Sequence, residues 1–123
     1  MTKTITIPTD TILRETLTRG GFSYDLQSQS EAKHTSGYVV SRDNGAWLPV
    51  NASDLQTKFN AAIADVLSRH ASAPIVGTWI DSGILYIDAS DIYSSLSDAM
   101  QVGRANNQRT IWDFATSTII PVE

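Results

Sequence analysis

The sequence predicts an α+β fold, a largely antiparallel sheet with about three helices on one face, and three observations carry that expectation. Short β-rich runs come in pairs around turn residues: Thr78-Trp79-Ile80 and Ile84-Leu85-Tyr86-Ile87 around Asp81-Ser82-Gly83, then Thr110–Phe114 and Thr118–Ile120 around Ala115-Thr116-Ser117. Other stretches space their apolar residues by three and four, most clearly Leu55, Phe59, Ala62, Ile63, Val66 and Leu67. The order along the chain is helix, strands, helix, hairpin, helix, hairpin. That order also reads as three α-β-β units in tandem, a repeated pattern without residue-level repetition. At 123 residues the chain fits a single domain, 1–123, able to bury roughly two thirds of its unfolded surface.

A short strand is expected over residues 3–7. Pro8-Thr9-Asp10 then opens a helix, with Thr9 or Asp10 as cap; Ile12, Leu13 and Leu17 share its inner face, and Gly20-Gly21 ends it. Phe22, Tyr24 and Leu26 alternate with polar residues at the strand period, and the polar stretch from Gln27 to Ser36 has no periodicity and reads as a mobile loop. Asp43-Asn44-Gly45 between Tyr38-Val39-Val40 and Ala46–Val50 predicts a hairpin, because Asn-Gly accepts the type I′ backbone. Pro49 places the second of those strands at an edge.

Asn51, or Ser53 with Gln56, is expected to cap the Leu55–Leu67 helix, which should end at His70 to Ser72 ahead of Pro74. Asp88 or Ser90 is expected to cap a third helix with Ile92, Leu96, Ala99, Met100 and Gly103 facing inward and Asn106-Asn107 as its stop.

Composition excludes several classes of function. With no cysteine there are no disulfides and no thiolate chemistry. No apolar run reaches the length of a membrane span, and Met1–Ile7 lacks the features of a secretory signal, so a cytoplasmic protein is expected. The net charge is -4, and residues 51–123 hold eight acidic against four basic side chains. Asp81, Asp88, Asp91 and Asp98 have no Lys or Arg among them, which argues against direct nucleic-acid binding.

Asp81, Asp88, Asp91 and Asp113, at the ends of expected strands, would suit a hard divalent cation if they converged. Turn formation and helix capping explain the same residues without a ligand, and the spacing is not that of an EF-hand, so no cofactor is expected. His34 and His70 stand in no metal or triad pattern. On a sheet covered on one side, Trp79 and Ile80 point opposite ways, as do Ile111 and Trp112. If the isoleucines face the helices, Trp79 and Trp112 share the open face. Burial within the monomer is the plain account of these aromatics, and an interface the functional one.

Gly77-Thr78-Trp79-Ile80-Asp81-Ser82-Gly83, Tyr86-Ile87-Asp88-Ala89-Ser90, Gly103-Arg104 and Gln108 through Ile111-Trp112-Asp113 together resemble the C-terminal pattern of a family of small uncharacterised proteins of actinobacteria, their plasmids and phages. Gly20-Gly21-Phe22-Ser23-Tyr24 resembles the N-terminal part of the same proteins, so the likeness spans about half of the chain. It implies a genomic setting and no catalytic residue. The expectation is a non-enzymatic interaction module, an accessory protein of a phage or mobile element that binds a host or phage protein through Trp79, Trp112, Tyr86, Asp81, Asp88 and Asp91. Its sharper form is an anti-defence inhibitor, anti-CRISPR or anti-restriction, acting by blockade of a protein face. The alternatives are a homodimer packed through the open face, or a domain binding a small ligand or divalent metal.

Overall fold

The computed structural model describes residues 7–122. The expected strand over residues 3–7 lies, apart from Ile7, outside them. Helix α1 is Thr9–Arg19, followed by strands β1 (Gly21–Asp25), β2 (Ser30–Glu31), β3 (Tyr38–Ser41) and β4 (Ala46–Pro49). Helix α2 (Leu55–Arg69) leads into β5 (Ile75–Asp81) and β6 (Ile84–Tyr93), and α3 (Leu96–Ala105) into β7 (Thr110–Asp113) and β8 (Thr118–Pro121). The α+β class is as expected. The second and third helices each introduce one hairpin, whereas four strands follow the first.

All the strand pairs are antiparallel, in the order β2-β1-β5-β6-β3-β7-β8, with β4 also on β6. The centre is the β5-β6 hairpin, closed by Ser82 (φ 52) and Gly83 (φ 80) with Asp81 opposite Ile84. Two consecutive left-handed residues make the type I′ turn whose twist matches the strands.

The Asn-Gly hairpin does not form. β3 pairs with Ser90–Tyr93 and β4 with Ile84–Ile87, so the two run end to end along one side of β6 and not against each other. Residues 42–45 bulge outward opposite Asp88 and Ala89, and Gly45 (φ 58) turns the chain back. Asp43 braces this excursion: its Oδ1 accepts from the Gly45 N–H at 2.7 Å and its Oδ2 meets Arg69 Nη1 and His70 Nε2, each at 2.7 Å. Anchorage to the end of α2 is a long-range contact that outweighs the local turn preference.

Nor do Asp88 and Ser90 cap a helix. β6 continues to Tyr93, placing Ile92 on a strand, and Ser95 caps α3 by accepting from the Asp98 N–H. Leu85, Ile87 and Ala89 alternate with Tyr86, Asp88 and Ser90, and partner strands on both sides hold the extended form. Two other caps differ from expectation: α1 begins after Pro8 and α2 after Asp54 (φ 52), and neither has a side-chain cap bond. The stretch from Gln27 to Ser36 holds β2 and a buried Ala32, whose N–H donates to the Ser23 carbonyl, instead of being wholly irregular.

The helices lie on one face of the sheet. Leu85, Ile87 and Ala89 of β6, Val76 of β5 and Tyr24 of β1 pack with Ile12 and Leu13 of α1 and with Phe59, Ile63 and Val66 of α2. Val40, on the same face opposite Asp91, joins Ile111 and Ala99 under α3. Each fully buried Phe, Leu or Ile contributes roughly 1.5–3 kcal/mol by leaving water. Thr16, Thr78 and Asp113 are buried polar residues on this side, and the two threonine hydroxyls meet at 2.5 Å. Gly103 brings α3 close to Ile111 and Val122.

Candidate functional site

Strand alternation fixes what the other face presents. Ile80 and Ile111 belong to the helix-side cores, so Trp79 and Trp112 point to the opposite, helix-free face. Register aligns Trp79 of β5, Tyr86 of β6 and Trp47 of β4 in one cross-strand row. Trp79 and Tyr86 stack at 4.7 Å between ring centroids, 22° from parallel. Trp47 is 63% exposed and Trp79 43%. Ile119, directly opposite Trp112 on β8, is 58% exposed on the same face.

Next to this row the open face lines a cavity of about 750 Å³. Its floor is the centre of the sheet: Ser23 of β1, Gly77 of β5, Asp88 and Ser90 of β6 and Ser41 of β3. Trp79, Trp112, Ile119, Phe114 and His34 stand around it. The His34 and Phe114 rings meet at 5.1 Å, which brings the segment after β2 against the β7-β8 turn. Arg19 and Glu31 at the edge are bound to each other at 2.8 Å.

Asp88 is the one acid on that floor. Its pair across the central ladder is Gly77, and a Cβ on Gly77 would sit 3.2 Å from Asp88 Oδ1. The carboxylate thus occupies the space that a side chain on β5 would fill. Protein surrounds it, yet the residue keeps accessible surface toward the cavity. Burial pushes its pKa up to about 6; hydrogen bonds from Ser90 and Ser41 oppose that rise and the charge of Asp43 adds to it.

The remaining aspartates are spread over the fold. Asp81 is exposed at the β5-β6 turn, on the open-face side beyond Trp79. Asp91 lies on the helix face, held by Arg42 Nε at 2.7 Å and Nη2 at 2.8 Å. Asp113 is also on the helix side, accepting from the Ala115 N–H and the Thr116 hydroxyl at 3.0 Å each. The four carboxylates offered for a divalent ion therefore do not converge, and no cluster of three or more His, Asp or Glu among the described residues could hold a metal. Asp91 leaves the candidate site because, three residues after Asp88 on one strand, it points the other way.

No family model, curated protein or solved structure matches this chain. Trp79, Tyr86, Trp112, Asp81 and Asp88 share the helix-free face; Trp47, Ser41, Ser90, Gly77 and Ile119 complete it. Period-two reading through Asp88 and Ser90 would have found the serines. Nothing local in the sequence aligns Trp47 with Tyr86, since that register depends on the bulge at residues 42–45. Among the described residues no helix is long and apolar enough to cross a membrane.

Proposed function

We propose that this chain is a non-enzymatic interaction module that docks a protein partner on its helix-free sheet face. The observation that carries the reading is the row Trp79, Tyr86 and Trp47, whose outer members are 43% and 63% exposed beside a cavity of about 750 Å³. Tryptophan and tyrosine offer large contact area at low entropic cost, and they dominate interface hot spots. The resemblance to small proteins of actinobacteria and their phages supports a mobile-element setting, in which the partner is a host or phage protein and binding serves blockade, as in anti-defence.

Affinity capture of the tagged protein from an actinobacterial lysate, washed with rising salt, tests this against Trp47→Asp and Trp79→Asp variants. A stoichiometric partner that survives high salt and is lost with either variant supports an apolar contact through this face. Retention unchanged in both variants, or nothing retained, overturns it. A second copy of the chain is the competing occupant, and light scattering identifies it: a dimer that Trp112→Asp dissociates would replace the host partner.

A further inference from the structure

Asp88 differs from every other partly buried aspartate of the described residues in what it touches. Asp25 has His34 Nε2 at 3.3 Å together with the Gln27 and Ser28 N–H groups. Asp43 has Arg69, His70 and the Gly45 N–H; Asp91 has Arg42; Asp113 has the Ala115 N–H. Asp88 receives the Ser90 hydroxyl at 2.9 Å, with Ser41 behind it, and neither a cation nor a backbone N–H. Burial without a counter-charge is costly for a carboxylate. The missing partner has a place to sit, because the carboxylate lies over Gly77 and the cavity opens above both.

We infer that the cavity above Gly77 and Asp88 receives a guanidinium group, the side chain of an arginine that the docked protein presents to Asp88. This rests on the protein-docking reading of the same face and specifies its chemistry. A hard divalent ion needs several oxygen ligands, and a single carboxylate among hydroxyls is too few. A guanidinium pairs with a carboxylate through a planar fork, donates to hydroxyl oxygens with its remaining N–H groups and stacks on indole. Trp79 supplies that ring: it lies two residues beyond Gly77 on the same face of β5. Ser23, Ser41 and Ser90 supply the acceptors.

The charged groups around Asp88 leave it the free anion of the cavity. Asp43, behind the neighbouring bulge, is taken by Arg69 and His70; Glu31 is taken by Arg19; His34 faces Asp25. Protonation of Asp88 removes the attraction, so binding should be about tenfold weaker at pH 5 than at pH 8.

The test uses the full chain and the probe N-acetyl-arginine amide, followed by NMR through the Trp79 indole and the backbone amides of Gly77 and Ser90. Saturable shifts at these positions are expected, absent with the neutral isostere N-acetyl-citrulline amide, weakened at least tenfold by Asp88→Asn and severalfold by Trp79→Leu. The second variant leaves the acid untouched and serves if the first perturbs the fold. Shifts shared by the citrulline probe, retained in Asp88→Asn, or absent altogether would overturn the arginine site. The docking reading survives that result if partner capture still fails with Trp47→Asp, so the two proposals fail separately.

Discussion

Replacing Asp88 by Asn should stabilise the protein at neutral and alkaline pH, and the gain should vanish in acid. The folded-state pKa of about 6 exceeds the ordinary value of 3.8 by about 2 units. Between those two values the folded chain binds more protons than the unfolded one. Stability therefore falls as pH rises through the window from 3.8 to 6 and stays low above it. At about 1.4 kcal/mol per unit the full loss would approach 3 kcal/mol, and water reaching the carboxylate from the cavity reduces this to about 1–2 kcal/mol. Asn keeps the shape and an oxygen for the Ser90 hydroxyl while carrying no charge. Urea unfolding of both proteins at unit steps from pH 4 to pH 8 isolates the effect, because the shifts of Asp25 and Glu31 are common to both and cancel. The expected difference is near zero at pH 4 and about 1–2 kcal/mol in favour of Asn at pH 8. A variant less stable than wild type at pH 8, or a gap independent of pH, would refute the placement of an uncompensated charge at this position.

Asp43 should behave in the opposite sense. Burial raises its pKa, but His70, the Gly45 N–H and Arg69 together outweigh that and hold it below its ordinary 3.8; the stability it contributes is present above that value and lost as pH falls through the lowered one. Asp43→Asn should cost about 1 kcal/mol at pH 7 in urea unfolding and progressively less in acid, converging with wild type once Asp43 is protonated in both states. Gly45→Ala should cost more than Gly83→Ala by thermal unfolding: both positions have positive φ, roughly 1–2 kcal/mol for an L residue, but a Cβ on Gly45 also overlaps the Ile87 carbonyl whereas Gly83 has nothing within 4 Å. Phe59→Ala, at a fully buried ring between α2 and the sheet, should cost about 3–5 kcal/mol in the same assay, with equal losses at the two ends of the pH range.

Local chemistry was legible wherever neighbours in sequence decide the outcome. Asp81-Ser82-Gly83 and Ala115-Thr116-Ser117 turn their hairpins, Gly20 (φ 86) ends α1, and the stripe of Phe59, Ile63 and Val66 is the buried face of α2. Long-range pairing decided the rest. Asp88 and Ser90 have good capping chemistry, but Gly77 and Ile75 of β5, with Ser41 of β3 on the other side of Ser90, hold them in a strand. Asn44-Gly45 has good hairpin chemistry, but both flanking strands find β6, a longer partner than either is for the other. The same two long-range pairings put Asp91 off the site and bring Trp47 into it. A helix start over Asp88 to Asp91 would keep both acids at one end of one element, whereas the strand sends them to opposite faces. Trp79 and Trp112 on the open face followed from alternation alone, because each has a neighbour, Ile80 or Ile111, committed to the helices.

The Gly77 and Asp88 pair is poorly suited to the strands it joins. It is a central cross-strand pair, in the strands that organise the whole sheet, and glycine and aspartate are among the poorest strand formers. Backbone conformation does not demand the glycine, since its φ is not in the left-handed region; the acid alone does, because Asp88 Oδ1 would stand 3.2 Å from an added Cβ. Packing gives no reason for the acid either, since its partners are hydroxyls that an apolar or neutral residue would leave satisfied by each other. A pair that costs stability twice is accounted for if the charge, and the glycine that makes room for it, serve a ligand. Gly77→Thr combined with Asp88→Val should therefore raise stability by about 2 kcal/mol at pH 8, from strand propensity and removal of the charge, while abolishing arginine-probe binding. Thermal unfolding and the NMR titration on that double variant decide the matter. A double variant that unfolds below wild type would return the pair to a structural role, and one that is more stable yet still binds the probe would move the site elsewhere on the face.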